Sequence, residues 1–194
     1  MTDCYLRFFN ACNDKEGLNI HLNDTAVAND LGFMQFSEFW NTEHGIFLLK
    51  IERAGDTTAE PLYDAPLELL EGHVYTLALT YEHDRLLITI IGDSIWHDIK
   101  RPNLVIANLT GHDTSLDIEL SQGGEPKEVD GLFFRDATPA MPLNEGRLDI
   151  SLKQDGQLIG QDHVELDRDM VYMGILVSDG DSIGLIMSDD WPVT

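Results

Sequence analysis

Three His-Asp neighbours, His83-Asp84, His97-Asp98 and His112-Asp113, are the first groups in this sequence whose types could do chemistry. In a hydrolytic triad an Asp orients a His that in turn activates a Ser. Adjacent residues on an extended chain point to opposite sides, so such a neighbour pair does not aim both groups at one nucleophile. No Gly-x-Ser-x-Gly elbow occurs, and neither Cys4 nor Cys12 is flanked by a nucleophile motif. The pattern assigns no catalytic residue.

Acidic residues offer a second chemistry, divalent-cation binding. Asp179-Gly180-Asp181-Ser182-Ile183-Gly184 starts like a calcium loop, with Asp190 at its twelfth position. Ile183 at the fifth position has no side-chain oxygen, and Asp190 is shorter than the bidentate Glu such loops use. Ile183, Leu185 and Met187 also match an alternation of Leu86, Ile88 and Ile90 read as buried, so the segment is a strand and not a loop. A looser calcium site could form from Asp93 and Asp98 beside a connector and Asp189 and Asp190 at the equivalent end of the second half. Dispersed surface acids are the favoured explanation of these four, because a net charge of −23 makes chance clusters common, and no motif requires a cofactor. His21 lies on the polar side of an alternating strand, and its counterpart is Glu119, as on a solvated face.

Trp40, Trp96 and Trp191 raise a glycan-binding option, since exposed indoles stack on sugar faces. Trp40 falls within an expected strand and reads as core. Trp96 and Trp191 each follow the last strand of a repeat and read as packing residues.

The elements that must position these groups follow from a duplication. Leu67-Glu68-Leu69-Leu70-Glu71-Gly72-His73-Val74-Tyr75 returns 97 residues later as Val164-Glu165-Leu166-Asp167-Arg168-Asp169-Met170-Val171-Tyr172. Leu18-Asn19-Ile20-His21-Leu22 alternates as a half-buried strand does, and Leu116-Asp117-Ile118-Glu119-Leu120 repeats it at an offset of 98. Phe47, Leu49 and Ile51 return as Leu148, Ile150 and Leu152 at 101. The drift between offsets belongs in loops such as Gly123-Gly124-Glu125-Pro126. Gln35 to Trp40 is expected to be one further strand. About seven short strands per repeat, with turn signals every ~8–12 residues and no helical period, predict an all-β chain of two tandem immunoglobulin-like antiparallel β-sandwich domains. The expected boundaries are 1–93, a connector over 94–102, and 103–194.

The chain has 194 residues, 12 Lys and Arg against 35 Asp and Glu, and a formal net charge of −23. Residues 1–97 carry −11 of it and residues 98–194 carry −12, so the acidity is no tail. A field of that sign repels nucleic acid and anionic membrane surfaces. No apolar run is long enough to span a membrane. Met1-Thr2-Asp3-Cys4 has neither a basic nor an apolar leader region, which fits a cytoplasmic chain or one that starts after a removed signal. Cys4 and Cys12, at opposite ends of one expected strand, lie roughly 25 Å apart and are expected to be free thiols.

Positions expected to face outward are more apolar in the first repeat. Phe9 stands where the second repeat has Ala107, Leu48 where it has Asp149, Leu87 where it has Gly184, and Ile91 where it has Ser188. An exposed patch of this kind marks a covered surface. The expected cover is the second repeat, a protein partner, or a second copy in a homodimer through repeat one. A one-residue slip in the face assignment would reverse every one of these side chains.

The repeats resemble a family of tandem bacterial domains of unknown function with transthyretin-like, immunoglobulin-related sandwich folds. The resemblance rests on Asn10-Ala11-Cys12 and Asn108-Leu109-Thr110 at a strand end, followed by the alternating strands from Leu18 and Leu116. Gly45 or Gly146 before a strand, and the Tyr75 or Tyr172 strand after a turn, complete it. It covers nearly the whole chain and implies a cell-envelope setting. A second, weaker similarity is to the accessory protein of alginate O-acetylation. The expected role is therefore a non-catalytic binding, adhesion or scaffold module with a protein or glycan partner. Its rivals are an accessory factor of exopolysaccharide modification and, from another class, a cytoplasmic enzyme.

Overall fold

A computed structural model describes residues 4–13, 16–55, 60–83, 85–94, 100–111, 115–180, 182–189 and 191–192. The chain divides into two compact units, Met1–Ile95 and Trp96–Thr194. Every regular element among the described residues is a strand, and no helix there is long and apolar enough to cross a membrane.

Unit one contains β1 (Cys4–Asn10), β2 (Leu18–Leu22), β3 (Thr25–Leu31), β4 (Gln35–Phe36), β5 (Trp40–Thr42), β6 (Gly45–Arg53), β7 (Tyr63–Leu69), β8 (His73–Glu82) and β9 (Arg85–Ser94). They form two sheets. One runs β4-β1-β8-β9, with β5 also on β1, and the other runs β3-β2-β6-β7. Unit two contains β10 (Asn103–Leu109), β11 (Leu116–Ser121), β12 (Lys127–Leu132), β13 (Met141–Pro142), β14 (Gly146–Gln154), β15 (Gln157–Leu166), β16 (Val171–Ser178) and β17 (Ile183–Ser188). Its sheets, β13-β10-β16-β17 and β12-β11-β14-β15, repeat the same order.

The alternation read from the sequence sets which side chains meet. Leu18, Ile20 and Leu22 of β2, with Leu49 and Ile51 of β6, are buried against Leu6, Phe8, Leu77 and Leu79 of the facing sheet. Leu116, Ile118, Leu120, Leu148, Ile150 and Leu152 do the same in unit two. Each such aliphatic side chain contributes about 1.5–3 kcal/mol by leaving water. The face assignment therefore did not slip.

Three sequence expectations need correction. The sandwiches are not wholly antiparallel, because β1 pairs parallel with β8 and β10 parallel with β16. The long connection between those strands allows it, whereas a hairpin would not. Gln35 to Trp40 is two short strands, both laid antiparallel on the same edge of β1. Ile90 is exposed rather than buried, since among the described residues β9 is an edge strand with a neighbour on one side only.

The drift in offset has a structural reading. Asn23-Asp24 joins β2 to β3, whereas residues 122–126 join β11 to β12; these three extra residues move the offset from 98 to 101. The β6–β7 connection is long, whereas Asp155-Gly156 closes β14–β15 as a two-residue turn with both residues at positive φ, 50° and 74°.

Specific polar bonds recur in both units at the repeat offsets. The Asn10 side-chain amide donates to the Leu31 carbonyl (2.8 Å), and its oxygen accepts from the Cys12 N–H (2.8 Å). Asn108 does the same with Leu132 (2.8 Å) and Thr110 (3.0 Å). The Tyr75 hydroxyl accepts from the Leu70 N–H (3.1 Å), and the Tyr172 hydroxyl from the Asp167 N–H (2.7 Å). Ser37 Oγ accepts from the Phe8 N–H and Thr138 Oγ1 from the Ile106 N–H, both at 2.9 Å. The duplication thus extends from the apolar pattern to individual hydrogen bonds.

Burial raises the Tyr172 phenol above the ordinary tyrosine value, partly offset by the Asp167 N–H. Hydrogen bonds from Lys50 to Glu52 and from Lys153 to Glu119 raise both ammonium groups. A group raised in the folded state stabilises fully below its unfolded value and loses that contribution as pH rises through the folded one. Stability is therefore expected to hold through neutral pH and fall above about pH 10, the free tyrosine range. Tyr172→Phe is expected to lower stability at pH 7 by about 1 kcal/mol, through the lost acceptor, and to shrink the alkaline fall. Urea midpoints from pH 7 to 11 measure both effects; an unchanged alkaline slope in the variant would show that the phenol does not contribute.

Candidate binding surfaces

Neither sandwich presents its two sheets alike. The sheet containing β8 is buried on both faces. Tyr75, Leu77 and Leu79 enter the core, while Thr76, Ala78 and Thr80 on the other face are also buried. Phe9 and Ile91 belong to that second face and are 0% and 7% exposed. Phe9 lies against Phe36, with ring centroids 4.6 Å apart. The expectation that Phe9 and Ile91 form an open partner surface is thus corrected. They are apolar because the chain itself covers them. Leu87 is half-buried.

Leu48 is on the other sheet, and there the expectation of exposure holds. It projects from the outer face of β6 and is 46% exposed. Beside it, two residues along the strand, Ile46 is 73% exposed, and Pro66 lies opposite Leu48 on β7, also exposed. The Leu48 backbone is fixed by Asn23, whose side-chain oxygen accepts from the Leu48 N–H (2.9 Å) and whose N–H donates to the Leu48 carbonyl (2.7 Å). The rim is charged. Glu68 faces Ile46 across the strands, Asp64 faces Lys50, and Lys50 bonds Glu52 at 2.7 Å.

The same place in unit two is polar. Arg147 and Asp149 occupy the positions of Ile46 and Leu48 and bond each other at 2.8 Å. His163 lies opposite Asp149 on β15, and Gln161 donates to Ser151. This face carries a shallow groove of about 390 Å³ lined by Ser121, Arg147, Asp149, Gln161 and His163. Ile46 was readable in the sequence as the partner of Arg147 at the 101 offset, yet the comparison of Leu48 with Asp149 alone passes it over.

The other candidates separate clearly. His83 is exposed and 3.9 Å from Glu82. Asp84, His97, Asp98, His112 and Asp113 lie outside the described residues. So do Asp98 and Asp190 of the expected calcium site, together with the Asp93 side chain; Asp189 is exposed. Among the described residues no three His, Cys, Asp or Glu side chains are grouped to hold a metal ion. His21 lies 3.7 Å from Glu52, part of the same outer-face charge pattern. Trp40, expected in the core, is 37% exposed because β5 sits at the sheet edge; Trp191 is buried and Trp96 lies outside the described residues. Both cysteines are buried and in no disulfide, and the Cys4 thiol donates to the Leu70 carbonyl.

A family model described as "Domain of unknown function (DUF4397)" matches residues 4–100, which span unit one. The chain belongs to that family. DUF4397 thus covers the first repeat, and the bonds of Asn108, Thr138 and Tyr172 carry the same framework into the second. No curated protein matches the chain. Among solved structures, one similar chain is a candidate cell adhesion protein from Bacteroides ovatus, at 10% identity and a TM-score of 0.31, covering 97% of this chain and 98% of that one. Another is a family CBM26 module from the Eubacterium rectale Amy13K protein, in complex with maltoheptaose, at 9% identity and a TM-score of 0.31, covering 98% of each chain. Likenesses this distant say nothing of what the DUF4397 chain binds.

Proposed function

We propose that this protein is a non-catalytic binding module that engages a protein partner through the outer face of β6 and β7 in unit one. One observation carries the reading. Two copies of one framework differ where a partner would dock, with Ile46, Leu48 and Pro66 in the first and Arg147, Asp149 and His163 in the second. Exposed adjacent aliphatic residues on a rigid strand lose water on binding and act as anchors. The patch holds aliphatic side chains and a proline but no indole or phenol ring, which favours a protein surface over a sugar face. Its rim of Glu68 and Asp64 selects a partner with basic residues around an apolar centre. A net charge of −23 opposes self-association, so a homodimer through this face is the less favoured occupant. A cell-envelope setting and a role beside exopolysaccharide-modifying enzymes would both fit such a module.

The test gives unit one the residues of unit two. Ile46→Arg with Leu48→Asp is expected to leave stability within about 0.5 kcal/mol, since both side chains are at the surface. It is expected to abolish cross-linked capture of a partner from the source cell extract. Capture unchanged by the double variant would overturn the reading. Sedimentation showing a dimer that the variant dissociates would replace the partner with a second copy.

A further inference from the structure

Unit two has a second concave surface, independent of the face just described. It runs between the edge strand β12 of one sheet and the strap over residues 136–141 that leads to β13 at the edge of the other. Val129 and Leu132 lie on one side, Ala137 and Met141 on the other, and the groove, open to solvent, has a volume of about 420 Å³. That is within the range of about 300–1,000 Å³ usual for ligand sites. Among the described residues β12 pairs only with β11, so its other edge offers backbone N–H and C=O groups to an added strand.

Both ends of the groove are tied. At one end Asn108 donates to the Leu132 carbonyl while its own carbonyl accepts from the Arg135 N–H. At the other, Lys127 donates to the Pro142 carbonyl, and Gln122 and Asn144 exchange two bonds, 2.8 and 3.0 Å. The walls are therefore preformed, which lowers the ordering cost of binding.

Comparison of the repeats shows what distinguishes this groove. The strap of unit one carries Phe36, Phe39 and Trp40 where unit two has Ala137, Ala140 and Met141. The Phe9–Phe36 ring pair becomes a simple bridge between Ala107 and Ala137. Conversely, Phe133 at the end of the groove is 63% exposed where unit one has Gly32. The rim is acidic, with Glu128, Asp130 and Asp136 all exposed, while Lys127 is held by the strap.

We infer that this groove accepts an extended peptide segment that adds to β12 as an edge strand, with alternate apolar side chains entering the groove and basic side chains meeting Glu128, Asp130 and Asp136. Strand addition supplies affinity through the backbone, and the alternation of side chains supplies specificity. The acidic rim fixes the sign of the partner's charge.

The probe is a fluorescein-labelled Lys-Val-Lys-Val-Lys-Val peptide, titrated with the full chain by anisotropy. Because an acidic protein attracts any polycation, the control is Lys-Pro-Lys-Pro-Lys-Pro, of equal charge but with every second N–H removed and φ fixed away from the strand value by proline. The Lys-Val peptide is expected to bind at least tenfold tighter. Ala137→Phe, which copies Phe36, is expected to erase that difference, and Glu128→Lys with Asp130→Lys to weaken Lys-Val binding at least tenfold. Amide shifts on binding are expected over 127–132, in wild-type protein that needs no variant to fold. Equal affinity for the two peptides, or shifts confined to other strands, would overturn the inference. So would a dimer of the unliganded chain that Ala137→Phe or the charge-reversed variant disrupts, since a second copy would then occupy the groove.

Discussion

Asn108→Leu is expected to destabilise the protein by about 3 kcal/mol, one of the two largest effects of any single change considered. The side chain is fully buried and nearly isosteric with Leu, so packing alone predicts little loss. The loss comes from the backbone. The Leu132 carbonyl and the Thr110 N–H would remain near or within the interior without the amide that satisfies them. Each such group stranded away from water costs about 1–3 kcal/mol. Asn10→Leu is expected to act alike through Leu31 and Cys12. Chemical denaturation checks the magnitude, and hydrogen exchange checks the place. The exchange of Thr110 in the first variant, or of Cys12 in the second, should accelerate more than that of the central β14 or β6 amides.

Arg7→Ala is expected to cost about 3–4 kcal/mol. Arg7 is 0% exposed, its guanidinium lies 4.2 Å from the Phe36 ring centroid and 4.4 Å from that of Phe39, and its Nε donates to Thr76 Oγ1 at 3.0 Å. A desolvated cation on an aromatic face is worth about 2 kcal/mol, and truncation to Ala also leaves a cavity. Unit two reaches the same end without charge, placing Val105 where unit one has Arg7 and Ala137 and Ala140 where it has the two rings. The three residues are thus one packing unit. A double-mutant cycle of Arg7→Ala with Phe36→Ala is expected to be non-additive by 0.5 kcal/mol or more. Additive losses would mean that the guanidinium–ring contact contributes little.

Much of this architecture was legible because alternation survives in both copies. β2, β11 and β14 each bury the side chains their period-two patterns name, β6 buries Leu49 and Ile51 and half-buries Phe47, and the duplicated segment ending in Tyr75 and Tyr172 placed β8 and β16. The reading failed where a strand is buried on both faces. Phe9 and Ile91 face away from the core of their sandwich and are still covered, and alternation cannot distinguish a covered outer face from an open one. It failed again at the edge of β1, where β4 and β5 are too short to show any period and Trp40 is left partly in solvent. The proposed binding face was half legible. Leu48 stood out against Asp149, but Ile46 and Pro66 acquire meaning only from the β6–β7 register, which pairs Leu48 with Pro66 and places Glu68 opposite Ile46. The groove beside β12 was not legible at all, because it depends on two sheet edges brought together from distant parts of the repeat.

Hydrogen exchange of the full chain, free and with the captured partner, tests the binding role most directly. Added protection over 45–53 and 63–69, with the equivalent segments 146–154 and 157–166 unchanged, is the result expected of a partner seated on Ile46, Leu48 and Pro66. Equal protection of both pairs of segments, or protection confined to strands away from β6 and β7, would contradict it.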